Sequence, residues 1–326
     1  MGAATYTKII MKRSFILIIT GLILYSCSTN DKIPVILDTD ANNELDDQHA
    51  IAYMIFNDDL FDVRGITTNR TWGGGPVEEH TREARRIVHL CAADERIQVI
   101  SGANGDYYTL KDSLDNPDYD GKKAVEFIIQ QSQNMPEGKK LVLIPVGKLT
   151  NIALALKKDP SIIPKVKVVW LGSNWPRPGE YNMENDTSAV NPVIESGVEM
   201  WVCTVAGGTM EVRTTKTEIT KQLSGKGKQV EPVEGRHGGS FDKLGDYLVN
   251  LWENVNEESR SLFDMAAVAT VKNPEWAEDT IVYGPRLING EWTAYVQAKD
   301  SVVFFRNYDV DAVMNDFWKT MDKIDE

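Results

Sequence analysis

From Ile33 onward, short runs of aliphatic and β-branched residues alternate with longer stretches whose apolar positions recur about every 3.6 residues. The short runs predict strands over 33–37, 61–67, 98–100, 141–145, 166–171 and 200–205. The longer ones predict helices over 47–57, 77–92, 122–133, 151–158 and 241–254. Strand and helix in strict alternation is the signature of βαβ units, so the fold class expected is α/β: an open, mostly parallel, Rossmann-like sheet with helices on both faces. In such sheets ligands bind outside the carboxyl ends of the strands. Three polar clusters follow predicted strands, at 38–47, 146–151 and 172–186. The Lys-, Gly- and Ser-rich stretch 215–240 reads instead as a mobile surface excursion or lid.

The first 27 residues break this pattern. They carry Lys8, Lys12 and Arg13, no acid, and then the apolar run 15–24, which ends in Leu24-Tyr-Ser-Cys27. A charged start followed by ten apolar positions is a secretory signal. It is too short to span a bilayer, which takes about 20 residues. Its end resembles a bacterial lipobox, which implies lipidation at Cys27. The expected layout is a signal peptide at 1–27, a short tether at 28–32 and a catalytic domain at 33–326. The expected location is the periplasm or the outer membrane of a bacterium, with the lipid anchor as the only membrane contact. Removing the signal's three basic residues takes the formal charge from −13 to −16. So acidic a body argues against a nucleic-acid polymer as partner, because phosphate binding relies on clustered Lys and Arg. Small neutral or cationic ligands fit better, and a homo-oligomer is left open. The body keeps two cysteines, Cys91 and Cys203, too few for a disulfide framework.

Five carboxylates fall within ten residues in Asp38-Thr-Asp-Ala-Asn-Asn-Glu-Leu-Asp-Asp47, directly after the first strand. Such a crowd is tolerable when a cation neutralises it, and a hard, oxygen-rich donor set suits Ca²⁺. Helix capping by Asp46 and Asp47 is the competing reading, and it accounts for only two of the five. The chain has no HExxH, paired CxxC, P-loop or GxSxG motif, which removes the commonest zinc, nucleoside-triphosphate and serine-hydrolase readings. His49, His80 and His89 read as surface or capping residues. His237, in Gly-Arg-His-Gly-Gly, is either a mobile-loop residue or a proton donor that swings in.

Ile36-Leu-Asp-Thr-Asp40 followed by Leu45-Asp-Asp-Gln-His-Ala-Ile-Ala-Tyr53 resembles the N-terminal signature of the nucleoside hydrolase family, usually Asp-x-Asp-Pro-Gly-x-Asp-Asp. All four acids are kept, with two extra residues and no Gly between the pairs. Three further motifs match in order. Leu143-Ile-Pro-Val-Gly-Lys-Leu-Thr-Asn151 is similar to the family's strand–GPLTN–helix element. Asn174, Glu180 and Asn182 keep the spacing of its sugar-binding segment. Phe263-Asp-Met-Ala-Ala-Val268 is similar to its late His/Trp-Asp-x-x-Ala element.

The resemblance implies the nucleoside hydrolase fold and calcium-dependent hydrolysis of a ribonucleoside, or a related N-riboside, to free base and sugar. By the same resemblance Asp40, Asp47, Asp264 and the Val146 carbonyl would hold Ca²⁺, and Asp40 would also act as base. Asp46 would bind ribose hydroxyls with Asn174, Glu180 and Asn182, and Asp38 would orient the shell from behind. The local alternatives are a helix cap for Thr150 and for Asp264. Phe263 stands where one branch of the family has His, and it either stacks on the base or belongs to the core. Trp72, in Asn69-Arg-Thr-Trp-Gly-Gly-Gly75, either covers the other face of that base or packs on the surface. The rival functions are hydrolysis of another glycoside on the same fold and non-catalytic sugar binding by a lipoprotein.

Overall fold

The computed structural model describes residues 32–295 and 297–326, so Cys27 and the signal segment lie outside the described residues. Eight strands form the main sheet: β1 (Ile33–Thr39), β2 (Phe61–Thr68), β3 (Val99–Ser101), β4 (Leu141–Pro145), β5 (Val166–Leu171), β6 (Glu199–Cys203), β7 (Glu278–Tyr283) and β8 (Ser301–Arg306). Their spatial order is β3-β2-β1-β4-β5-β6-β8-β7. Every neighbouring pair is parallel except β7 with β8 at one edge. The order reverses between β1 and β4, which makes their carboxyl ends the switch point where an open α/β sheet leaves a crevice.

Among the described residues, ten helices besides the single turn Tyr107–Leu110 position the rest: α1 (Asp46–Phe56), α2 (Val77–Leu90), α3 (Lys122–Gln133), α4 (Thr150–Lys158), α5 (Tyr181–Asn185), α6 (Thr187–Glu195), α7 (Lys216–Leu223), α8 (Leu244–Glu253), α9 (Phe263–Lys272) and α10 (Val310–Met321). Side chains alternate across a strand, so β1 feeds two cores. Val35 and Leu37 pack with Ile51, Ile87, Leu248, Met265 and Phe317 from α1, α2, α8, α9 and α10. Ile36 packs on the other face with Val125, Ile152 and Val193 from α3, α4 and α6. Burial on both faces explains why these strands read as continuous apolar runs.

The predicted strands and helices fall within a few residues of those observed. β7, β8, α5, α6, α7 and α10 had no counterpart among them, and α9 was foreseen only as the helix Asp264 would cap. The expected surface excursion is corrected over its first part: within 215–240 lies α7, whose Ile219 and Leu223 are fully buried one turn apart, and whose Thr215 hydroxyl caps it by accepting from the Glu218 N–H at 3.0 Å. Polar composition concealed a short amphipathic helix. The predicted helix over 241–254 starts later, at Leu244, because Phe241 pairs with Val233 in a two-stranded ribbon. Among the described residues no helix is long and apolar enough to cross a membrane.

Candidate active site

The β1 and β4 ends are tied together first. Asp38 pairs in register with Pro145, and the Val146 N–H donates to the Asp38 carbonyl at 2.8 Å. The buried Asp38 carboxylate accepts from the Thr67 hydroxyl (2.7 Å), the Asn151 amide (2.8 Å) and the Asn69 amide (3.2 Å). Burial pushes its carboxyl up to about 6 in spite of these three donors. Gly147 is required by close approach, since a Cβ there would lie 2.7 Å from the Asn69 Oδ1.

The chain then leaves β1 through a turn closed by the Asn43 N–H on the Asp40 carbonyl (2.9 Å). The two extra residues bulge toward the 69–75 loop. The Asn42 amide donates to the Gly74 carbonyl (2.7 Å), its backbone N–H donates to His80 Nδ1 (3.2 Å), and Gly74 adopts a left-handed φ of 74°. Leu45 and Ala41 are buried and anchor the bulge. Asp46 and Asp47 therefore enter the first turn of α1 facing inward. Neither caps the helix, because the boundary residue is Leu45 and no side chain caps it.

One carboxylate oxygen each from Asp46, Asp47 and Asp264 lie within 4.8 Å of one another. Asp264 reaches them from the first turn of α9, and Asp46 accepts from its backbone N–H at 3.4 Å. The expected caps at Asp264 and Thr150 are corrected: the boundary residues are Leu262 and Leu149, and the Thr150 hydroxyl donates to Asp186 at 2.5 Å. The Thr39 hydroxyl donates to Asp47 and the Thr71 hydroxyl to Asp40. Burial, opposed by the Thr71 hydrogen bond and reinforced by the charge of Asp46, pushes Asp40 up to about 7. Burial and then the charge of Glu44 push Asp46 to about 7 as well. Asp47 and Asp264 rise well above the ordinary range through burial and the charges of their acidic neighbours. Four buried acids that raise one another in this way fit a divalent cation, which would supply the missing positive charge.

These acids open into a cavity of about 290 Å³, also lined by Asn43, Glu44, Val146, Leu171, Asn174, Glu180, Tyr181, Asn182, Val205 and Phe263. Glu180 caps α5: its carboxylate accepts from the N–H groups of Ser173, Asn182 and Met183, all at 2.9 Å. The Asn182 amide bridges the Val146 (3.0 Å) and Leu171 (3.1 Å) carbonyls. Asn174 accepts from the Ala206 N–H (3.0 Å) and donates to the Gly179 carbonyl. The lining thus brings together Asp40, Asp46, Asp47, Val146, Asn174, Glu180, Asn182, Phe263 and Asp264 from six separate segments, and Asp38 stands behind it.

Trp72 is not among the lining residues. It is 67 % exposed and meets Tyr181 edge-on at 5.7 Å, so Tyr181 is the aromatic that faces the cavity on that side. Phe263 lines the cavity and also packs against the first core. Sequence reasoning gave no role to Asn43 or Tyr181, and none to Glu44 beyond counting it among the five clustered acids. The two-residue insertion was the available signal for Asn43 and Glu44, and Glu44 is held by an ion pair with Arg260. The histidine readings also change. His49 and His80 are buried, and burial lowers His49 to about 4 while its two nitrogens meet the Leu45 carbonyl (2.7 Å) and the Trp252 indole N–H (3.3 Å). His237 is exposed, and its Nε2 accepts from the Arg236 guanidinium at 3.0 Å.

Fold and site together define an α/β protein with an acidic, sugar-sized cavity at the switch point of its sheet. The profile of the family described as inosine-uridine preferring nucleoside hydrolase matches residues 35–315, and the chain belongs to that family. It is 29 % identical over 192 residues to the non-specific ribonucleoside hydrolase RihC of Klebsiella pneumoniae, an alignment covering 53 % of this chain and 61 % of that protein. The chain thus spans about three-fifths of the length of the RihC relatives it matches. It is 26 % identical over 262 residues to the inosine-uridine preferring nucleoside hydrolase of Leishmania major, covering 74 % of this chain and 79 % of that one. Among solved structures, the purine-preferring ribonucleoside hydrolase of Gardnerella vaginalis superposes with a TM-score of 0.70 at 21 % identity, covering 90 % of this chain and 99 % of that one. The plant nucleoside hydrolase PpNRh1 gives 0.69 at 20 %, covering 89 % and 98 %. These likenesses bear out the α/β nucleoside hydrolase fold.

Proposed function

We propose that the chain hydrolyses the N-glycosidic bond of a ribonucleoside or related N-riboside, with Ca²⁺ in the acidic cavity. The observation that carries this is the convergence of Asp46, Asp47 and Asp264 with Asp40 in one cavity at the β1/β4 switch point. Asp40, Asp47, Asp264 and the Val146 carbonyl would hold the cation. When bound, it supplies a Lewis acid that acidifies a water and orients vicinal hydroxyls. Asp40 takes the proton of the attacking water, and Asp46 binds ribose hydroxyls. Asn174, Glu180 and Asn182 fix the sugar. Their existing hydrogen bonds preorganise them, so little ordering is left for binding to cost. Asp38 holds the β1 end from behind through its three donors. Phe263 offers a ring face to the base, and Trp72 acts through Tyr181 rather than by direct contact.

The decisive experiment loads the purified protein with calcium and follows base release from purine and pyrimidine nucleosides by chromatography. Wild type releases base, and chelation abolishes the release. Failure of the loaded protein on every nucleoside overturns the reading. Glu44 and Asn43, brought to the wall by the insertion, favour one second reading, another glycoside on the same site. The proposal extends to location: residues 1–27 direct export, 28–32 form a tether, and Cys27 carries the lipid that anchors the catalytic domain of 33–326 outside the cytoplasm. Metabolic labelling with a fatty-acid analogue tests it, since Cys27→Ala should lose both the label and membrane retention.

A further inference from the structure

The charge of the cavity is one-sided. Asp40, Glu44, Asp46, Asp47, Glu180 and Asp264 line it, and no Lys, Arg or His is among its lining residues. Arg260 adjoins the wall and neutralises Glu44, and Arg236 donates to the Ala41 carbonyl at 3.4 Å. Against the six lining acids, a divalent cation, Arg260 and the nearby charge of Arg236 together still leave the wall negative. Such a wall repels a phosphorylated riboside and attracts a positively charged one.

The donors of the wall point the same way. A neutral base leaves readily only if it is protonated as the bond breaks, yet no acidic group on the wall is free to give a proton. The Tyr181 hydroxyl donates to Asn43 Oδ1 (3.3 Å), and Phe263 has no proton to give. The Glu180 carboxylate accepts three backbone N–H groups, and Glu44 accepts from Arg260. Asp40, Asp47 and Asp264 are committed to the cation by the reading above, and Asp46 beside them to the ribose hydroxyls. Two aromatic residues, Phe263 and Tyr181, also line the wall, and an aromatic ring attracts a delocalised cation.

We infer that the preferred substrate is a cationic N-riboside, one whose glycosidic nitrogen belongs to a pyridinium-type ring and already carries the positive charge. This rests on the nucleosidase reading above. Water oxygen bonds to the anomeric carbon as the carbon–nitrogen bond breaks. That bond's electron pair returns to the ring nitrogen and cancels its charge, so the base departs neutral without an acid. One water proton passes to Asp40 and on to solvent, which balances the lost cation.

Two measurements on the calcium-loaded full domain test this. The first compares kcat/KM for the N-riboside of nicotinamide with that for inosine and uridine, each rate divided by the substrate's own uncatalysed rate so that intrinsic lability drops out. The second is calorimetric binding of 1-methylnicotinamide, methylated on its ring nitrogen and so a cation, against neutral nicotinamide at low and high salt. A normalised preference of at least about tenfold for the cationic riboside, with cation binding that is tighter and weakens with salt, is expected. A normalised preference for inosine or uridine, or cation binding no tighter than that of nicotinamide, overturns the inference while the nucleosidase reading stands. No hydrolysis of any of the three overturns the nucleosidase reading, and this inference with it.

Discussion

Two sets of buried carboxylates, Glu83 on α2 and the four acids of the cavity, are treated in opposite ways. Glu83, fully buried on α2, accepts from the Gln48 amide (2.9 Å) and the Tyr247 hydroxyl (2.7 Å) and forms an ion pair with Arg86, which also stacks near the Tyr247 ring. Its charge is met from within the chain. Asp40, Asp46, Asp47 and Asp264 have mainly each other, with one hydroxyl apiece on Asp40 and Asp47 and a long backbone N–H on Asp46. A buried acid with a full set of partners holds structure. A group of buried acids that outnumbers its countercharge, here Arg260 and Arg236, is destabilising by itself and fits something that arrives from outside.

The comparison can be broken experimentally, and the largest effect is expected at the unpartnered set. Asp40→Asn should lower kcat by about 10³-fold, within the range for loss of a general base, with the melting temperature of the metal-free protein unchanged or higher. Base release assays and calorimetry check both halves, and a drop in metal-free stability would place Asp40 with Glu83 instead. At Glu83 the pattern should invert. Glu83→Gln strands the Arg86 guanidinium and should cost about 3 kcal/mol of stability, as breaking a buried pair does, while kcat of the folded enzyme is kept. Denaturant unfolding with parallel kinetics measures this.

Calcium should sharpen the contrast next. Saturation at about a hundred times Kd should stabilise wild type by about 2.7 kcal/mol, and Asp264→Asn should remove most of that increment. A smaller effect follows from pH. Asp40 and Asp46 titrate near 7 in the metal-free fold, far above their unfolded values, so the folded state binds more protons than the unfolded one throughout that interval. Stability of the metal-free protein should then rise as pH falls through 7 toward the ordinary carboxylate range, and calcium should flatten the slope. His49, neutral and lowered to about 4, pulls the other way only below its ordinary range. Thermal melts at closely spaced pH values read this directly. Smallest of all, Trp72→Ala should change stability by no more than about 0.5 kcal/mol, as expected of an exposed side chain, and should alter turnover only as far as Tyr181 shifts.

Most of the sheet could be read from the chain because strands buried on both faces are continuous apolar runs, and such runs stand out without knowledge of their neighbours. Edge strand β7 could not. Its Glu278, Asp279 and Thr280 are exposed, and only pairing with β8 makes it a strand. Segment 215–240 misled for a related reason, since two buried residues in a polar stretch, Ile219 and Leu223, give little periodic signal. Within the site, the acids were conspicuous because five fall in ten residues. Tyr181 was not, because its role depends on the 69–75 loop folding across it: the Gly73 N–H donates to its hydroxyl at 2.8 Å.

The sequence by itself determined the alternation of β and α, the excess of negative charge and the collinear motifs that mark the acids, because each is local or additive along the chain. The motifs had already pointed to Asp264, but only the folded chain places Asp46, expected at the ribose, within 4.8 Å of Asp47 and Asp264 in one group of carboxylate oxygens. It also decided that Asn174 and Asn182 are already tied to backbone, and that Tyr181 rather than Trp72 faces the cavity. Those outcomes depend on strand order and loop packing, which bring distant side chains together through space and leave no periodicity along the chain to read.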